Sequence, residues 1–293
     1  MLVAGSIGVG LLAGSGSEDS SGKPSAKAAE RPSELPRGGR RILPGNRVVA
    51  YYGAPQDPAL RALGVGSPDA AARRLKRQAV PYRSRGRPVL PAFELITVVA
   101  TAAAGEDGDY SDRQGPRVIE RYLRAARKHK ALLILDVQPG RAPFMGEVRA
   151  LERYLKEPDV SLALDPEWTL EPGQLPAQQI GSTDAATINE VSRYVSRLVR
   201  KHNLPQKLLV VHRFTGDMIR NEEALERHPG VALLVNVDGF GDQPNKISKY
   251  REFTRGRRGR RHGFKLFYKE DTNLMKPRQV LRLRPAPDLV VYE

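Results

Sequence analysis

Acidic and hydrogen-bonding side chains recur in this 293-residue chain at one kind of place, where a short apolar run ends. Glu94, Asp136 with Gln138, Asp165 with Glu167, His212, and Asn236 with Asp238 each follow several apolar residues, and Tyr52 and Tyr268 hold comparable positions near two further runs. Strand alternation puts Leu132, Ile134, Asp136 and Gln138 on one face; it does the same for Ala163, Asp165 and Glu167, and for Leu234, Asn236 and Asp238. Carboxyls crowded together raise the pKa of at least one of them. Such a set therefore offers a proton donor beside a carboxylate that stays ionised, the pairing used in general acid catalysis.

Each residue also has a plain structural use. Asp165-Pro166-Glu167 is the cap, first-position proline and first-turn acid of a helix start. Asp238-Gly239 is a common turn dipeptide, Asp136 can cap a turn, and a lone histidine such as His212 often serves as a hydrogen-bonded core residue. What points to a shared site is repetition, because at least four runs end in the same way.

The elements that must position these residues follow from the same pattern. Apolar runs at Arg47 to Gly53, Val89 to Thr97, Ala131 to Gln138, Val160 to Asp165, Lys207 to Phe214, Val231 to Gly239, Gly263 to Lys269 and Leu289 to Glu293 read as eight strands. Between them lie stretches with apolar spacing of three and four: Val118 to Ala126, Val148 to Leu155, and Ile188 to Leu198. Asp57-Pro58 and Ser67-Pro68 supply candidate helix starts. Strict alternation of this kind predicts an α/β chain, a single-domain (β/α)8 TIM-type barrel over residues 46–293, whose functional residues gather at the C-terminal ends of the strands. An open doubly wound sheet is the competing arrangement, but Tyr51-Tyr52-Gly53-Ala54-Pro55-Gln56 is no glycine-rich phosphate turn, and no P-loop motif occurs.

The segment Leu164-Asp165-Pro166-Glu167-Trp168 resembles the D-x-E element that ends the fourth strand in chitinase-like and family 25 lysozyme-like (β/α)8 glycoside hydrolases. The resemblance covers this element and the eight-strand plan. It departs from the longer chitinase pattern, since Ser161, Leu162, Ala163 and Leu164 precede Asp165 and a proline separates the two acids. It implies Glu167 as general acid and Asp165 as the residue orienting the substrate's acetamido group. Asp136 and Asp238 complete the candidate catalytic set. Tyr52, Glu94, Gln138, Trp168, His212, Asn236 and Tyr268 are the candidate substrate contacts, with Trp168 and Tyr52 offering flat faces for sugar rings. The function expected is hydrolysis of an envelope or extracellular polysaccharide by a secreted protein. The alternatives are a barrel that binds wall glycans without cleaving them, and a hydrolase of metal-assisted chemistry using Asp136, Asp165, His212 and Asp238.

Composition narrows these classes. A net charge of +15 and a pI near 10.2 favour contact with polyanions, whether nucleic acid, anionic lipid or acidic envelope polymers, without choosing among them. The dense run from Arg255 to Arg261 reads as a solvated loop, and no motif for specific nucleic-acid recognition accompanies it. The chain has no cysteine, which excludes disulfides, thiolate zinc sites and cysteine nucleophiles. Glu106-Asp107-Gly108-Asp109-Tyr110-Ser111-Asp112 is reminiscent of a calcium loop but lacks its full spacing and terminal glutamate, so neither a metal nor a cofactor is expected. Leu2 to Gly14 matches the apolar core of a signal peptide, without a basic stretch before it and too short to span a bilayer. Leu11-Leu12-Ala13-Gly14-Ser15 has the form of a lipoprotein cleavage box with serine in place of the acylated cysteine. Residues 15–45, rich in Ser, Gly and Pro, read as a disordered tether.

Overall fold

The computed structural model describes residues 33–293 apart from residues 56, 61, 85 and 258. Eight parallel strands carry the fold: β1 (Arg47–Gly53), β2 (Val89–Ala100), β3 (Leu132–Val137), β4 (Val160–Leu164), β5 (Lys207–Arg213), β6 (Val231–Val237), β7 (Arg261–Leu266) and β8 (Leu289–Tyr292). Each pairs in parallel with the next. β1 pairs with both β2 and β8, with Val48 opposite Leu289 and Tyr51 opposite Tyr292, so the sheet closes into a (β/α)8 barrel.

Helices occupy the outside: α1 (Pro68–Ala79), α2 (Pro116–Lys128), α3 (Phe144–Ala150), α4 (Glu152–Leu155), α5 (Ala185–Lys201), α6 (Gln243–Thr254) and α7 (Pro277–Leu281). Their starts follow local chemistry. Ser67 accepts a hydrogen bond from the Ala70 amide at 3.2 Å, Asp184 from Thr187 at 2.8 Å and Asp242 from Asn245 at 2.9 Å. Asp57-Pro58 starts no helix. The Asp57 carboxylate accepts from the Ala59 amide at 2.8 Å and closes a turn instead. Among the described residues no helix is long and apolar enough to cross a membrane.

Alternation divides the strand residues between two cores. Tyr51, Phe93, Leu135, Leu162, Val211, Val235, Phe264 and Tyr292 point outward and pack under the helices. Val48, Ala50, Leu90, Ala92, Leu132, Ile134, Ala163, Leu208, Val210, Leu234, Leu289 and Val291 point inward and fill the lower barrel. Two short parallel segments, Thr183–Asp184 and Ile219–Arg220, pair beside the mouth, and Ser111–Arg113 folds back antiparallel on the end of β2.

The tether expected to reach residue 45 is not what residues 33–45 form. Leu35, Ile42 and Leu43 are buried and join the inward core at the N-terminal end of the barrel. The Ile42 and Leu43 amides donate to the Gln206 side-chain oxygen at 2.8 and 2.9 Å, and the Arg40 guanidinium donates to the carbonyls of Ser33 and Leu204 at 2.7 and 2.9 Å. The described part of the compact unit therefore takes in residues 33–45 as well as the barrel. Its composition misleads because two apolar residues are enough to cap an open barrel end. The signal-like segment 1–14 and the first part of the tether lie outside the described residues.

Replacing Leu43 with alanine should therefore cost about 2–5 kcal/mol in denaturant unfolding, as for any core leucine. An unchanged unfolding midpoint would mean that this segment does not plug the barrel.

Candidate functional site

Toward the C-terminal ends of the strands the inward row turns polar. Tyr52 follows Ala50 on β1, Glu94 follows Ala92 on β2, Asp136 follows Ile134 on β3, and His212 follows Val210 on β5. Asn236 follows Leu234 on β6, Lys265 follows Gly263 on β7, and Asp165, Asp238 and Glu293 come just beyond the ends of β4, β6 and β8. Glu94, Asp136 and Asn236 are wholly buried, and His212 is 1% exposed. These four form a lower tier. Above them, Tyr52, Gln138, Asp165, Asp238, Lys265, Glu167 and Glu293 line an open cavity of about 360 Å³.

Hydrogen bonds tie the two tiers together. The His212 ring meets Asp238 Oδ2 through Nδ1 at 2.8 Å and Glu94 Oε1 through Nε2 at 3.0 Å. The Lys265 ammonium donates to Asp238 Oδ2 at 3.1 Å, pairs with Glu293 at 2.7 Å, and lies 3.8 Å from the centre of the Tyr52 ring. The Tyr52 hydroxyl lies 3.4 Å from both Asp136 Oδ2 and Asp165 Oδ2 and accepts from the Gln138 amide at 3.0 Å. Gln138 is itself fixed, accepting from the Ala100 amide at 3.1 Å.

This packing separates the carboxyls into two kinds. Burial pushes Asp136 up, and the neighbouring Asp165 carboxylate pushes it further. Burial likewise raises Asp165, against the pull of His212 and Lys265. Burial also acts to raise Asp238, but the Lys265 ammonium and the bond to His212 outweigh it and hold this carboxyl below the ordinary aspartate range. For His212, burial alone lowers the pKa, yet the bonds to Asp238 and Glu94 leave it well above the usual imidazole value.

The D-P-E segment is a single 3₁₀ turn, Pro166–Trp168, and the Asp165 side chain makes no capping hydrogen bond. Its carboxyl is turned into the barrel, so the segment starts a short 3₁₀ turn as the helix-start reading expects, but without the capping hydrogen bond that reading assigns to Asp165. Glu167 stands on the cavity wall, and its carboxyl is pushed up to about 8 by burial first and then by the charges of Asp165 and Asp238. The Gly181 amide donates to the Glu167 carbonyl at 2.7 Å and brings the 168–184 loop back against the turn. A Cβ at Gly181 would lie 2.2 Å from the Thr169 carbonyl oxygen, so only glycine permits this approach.

The expected residues are thus mostly, but not all, at the mouth. Asp136, Asp165, His212 and Asp238 converge at one end of the barrel. Glu94, His212 and Asn236, expected as substrate contacts, and Asp136, expected as catalytic, lie beneath the cavity and bond to neighbouring side chains. Tyr268 is misassigned: β7 ends at Leu266, and Tyr268 packs in the outer layer, stacked on Tyr292 with ring centroids 5.3 Å apart. Lys265, on the inward face of the same strand, is the site residue there, and Glu293 is its counterpart after β8. Both were findable by extending the parity argument to the last two strands. Phe214, Phe240 and Phe267 join Trp168 in the cavity wall. They follow strand ends, where alternation no longer predicts direction.

Among the described residues the one cluster of histidine and acids able to hold an ion is Glu94, Asp136 and His212. The arginine run is also more tied down than a solvated loop. Arg257 pairs with Glu222 at 2.8 Å, Arg261 pairs with Asp288 at 3.3 Å, and Arg260 donates to the carbonyls of Glu222, Glu223 and Leu225.

No family model matches the chain, and no curated protein matches it. Solved structures align with it over most of its length. A 2,3-dimethylmalate lyase of the PEP mutase/isocitrate lyase superfamily is 11% identical, with 86% of this chain and 77% of that one covered at a TM-score of 0.49. A hyperthermophilic endo-β-1,4-glucanase in complex with substrate is 11% identical, covering 87% and 88%, at 0.43. A glycerophosphoryl diester phosphodiesterase from Parabacteroides distasonis is 12% identical, covering 84% and 82%, at 0.39. At these identities and scores the likeness assigns this chain no activity.

Proposed function

We propose that the barrel hydrolyses glycosidic bonds of an envelope or extracellular polysaccharide, with Glu167 as general acid. The observation that carries this reading is a carboxyl raised to about 8 on the wall of a 360 Å³ cavity that it lines together with Asp165 and aromatic side chains. A cavity of this size falls in the range of ligand sites. Phe240, 59% exposed, packs 6.3 Å from Phe214 and 5.9 Å from Phe267, and with Trp168 it offers apolar faces suited to sugar rings.

Glycoside cleavage needs a protonated carboxyl at the leaving oxygen and a second carboxyl at the opposite side of the ring. Glu167 fits the first role because it carries its proton at neutral pH. Asp165, held on the Tyr52 hydroxyl, fits the second, either by orienting an acetamido group or by acting directly. The Lys265 ammonium, Gln138 and Tyr52 supply donors for sugar hydroxyls. The apolar stretch Leu2 to Gly14 supports export.

Purified protein should release reducing ends from at least one member of a panel of envelope polysaccharides. Glu167→Gln keeps the shape but has no proton to give, so turnover should fall about 10²–10⁴-fold while glycan binding persists. Asp165→Asn should lower turnover without lowering the melting temperature by more than a few degrees. Glycan binding with no cleavage by the wild type would leave a wall-binding barrel, and full activity in Glu167→Gln would remove that residue as the acid.

The pH profile gives a separate check. The competent form of Glu167 is protonated, so kcat/KM should hold up to about pH 8 and fall about tenfold per unit above it. That alkaline limb should be missing from the residual activity of Glu167→Gln. Cell fractionation of the complete reading frame should find the protein outside the cytoplasm; a purely cytosolic pool would overturn the export proposal.

A further inference from the structure

Below the floor of the cavity, three side chains from three strands bring donor atoms to one point. His212 Nε2 lies 3.0 Å from Glu94 Oε1 and 3.9 Å from Asp136 Oδ1, and a set of one ligand atom from each residue falls within 4.8 Å. Atoms bound about 2.0–2.2 Å from a common metal centre stand roughly 3–3.5 Å apart, so the His212–Glu94 pair already has this spacing and Asp136 has to draw in by a few tenths of an ångström or more. The 3.9 Å separation is too long for a hydrogen bond. Glu94 Oε2 and Asp136 Oδ1 are buried without any hydrogen-bond partner, an expensive state for carboxylate oxygens.

The other side of the imidazole is already arranged for a ligand's role. Asp238 holds Nδ1 at 2.8 Å and is itself fixed by Lys265 and by the Gly239 amide at 2.7 Å. A carboxylate on the remote nitrogen is the usual support for a metal-bound histidine, because it sets the tautomer and aims Nε2. Charge favours a cation as well. Glu94, Asp136, Asp165, Asp238 and Glu293 face the barrel axis; Lys265 pairs with Asp238 and Glu293, and the His212 ring, bonded to Glu94 and Asp238, would give up its Nε2 proton on taking an ion.

We propose that Glu94, Asp136 and His212 bind one divalent cation of the zinc or manganese type beneath the mouth. Two carboxylate oxygens and one imidazole nitrogen suit such ions better than calcium, which takes oxygen ligands throughout. The ion reaches the site from the cavity past Tyr52, whose hydroxyl lies 3.4 Å from Asp136. It ties β2, β3 and β5 together and balances the inward acids. This assignment stands apart from the glycosidase reading, since neither Glu167 nor Asp165 is a ligand.

The test uses the full untagged chain, stripped with a chelator and titrated calorimetrically with zinc chloride and manganese chloride. Uptake of one equivalent of at least one ion per chain is expected, with a rise in melting temperature and a much weaker response to calcium chloride. Glu94→Gln and Asp136→Asn should each reduce affinity at least tenfold, and Asp238→Asn should reduce it about 10–100-fold. Glu167→Gln should leave uptake unchanged whatever it does to hydrolysis. Absence of stoichiometric uptake by the wild-type chain overturns the proposal, and this result needs no variant to fold. Equal uptake by folded Glu94→Gln and Asp136→Asn, checked by circular dichroism, would place the ion elsewhere and overturn it too.

Discussion

Five charged or ionisable side chains form one bonded series that descends from the mouth of the barrel to the tier beneath it, from Glu293 through Lys265, Asp238 and His212 to Glu94. Four come from at or near the ends of β8, β7, β6 and β5 and Glu94 from the middle of β2, so the series bridges the interior. Buried charges survive only when paired, because desolvation costs several kcal/mol per ion and breaking a pair leaves an uncompensated charge. The closure and register of the sheet are therefore tied to this contact. A one-residue slip of any of these strands would turn its member of the series into the outer layer, among the helices.

The apolar lower half of the barrel makes that electrostatic arrangement possible. Inward valines, leucines and alanines, with Ile42 and Leu43 closing the open end, keep water from entering beneath the ionised groups. The low dielectric that results strengthens the Lys265 and His212 pairs and raises the pKa of the carboxyls that lack a close cation. Asp136 and Asp165 fall on the raised side and Asp238 on the lowered side. The difference arises from which cation each residue touches, not from residue type.

At the mouth, the raised carboxyl of Glu167 depends on a backbone device. The D-P-E turn holds Glu167 above Asp165, and the loop that follows is pulled against the turn at Gly181. Rigid strands thus set the lower tier, while the loops set the aromatic wall and the outer acid. This division matches the usual one in barrels, where the scaffold positions polar groups and the loops decide what approaches them.

The sequence by itself determined the strand count, the helical stretches and the inward parity of Glu94, Asp136, Asp165, His212 and Asp238. All of these depend on periods of two or of three to four residues within one segment, which is local information. Depth along the barrel axis is not local, because it depends on the stagger between strands. For that reason Glu94, His212 and Asn236, expected at the mouth, lie beneath it. Tyr268 was misassigned because it was placed by its nearness to the end of β7 and not by alternation, which sets it outward with Phe264 and Leu266 and turns Lys265 inward. Only the tertiary structure decided that Asp165 turns inward rather than capping a helix, since both roles use the same three residues and differ in what stands opposite. It also decided the use of Ile42 and Leu43: within a polar, glycine-rich segment they look incidental, and they gain their role from the open barrel end that the rest of the chain presents to them.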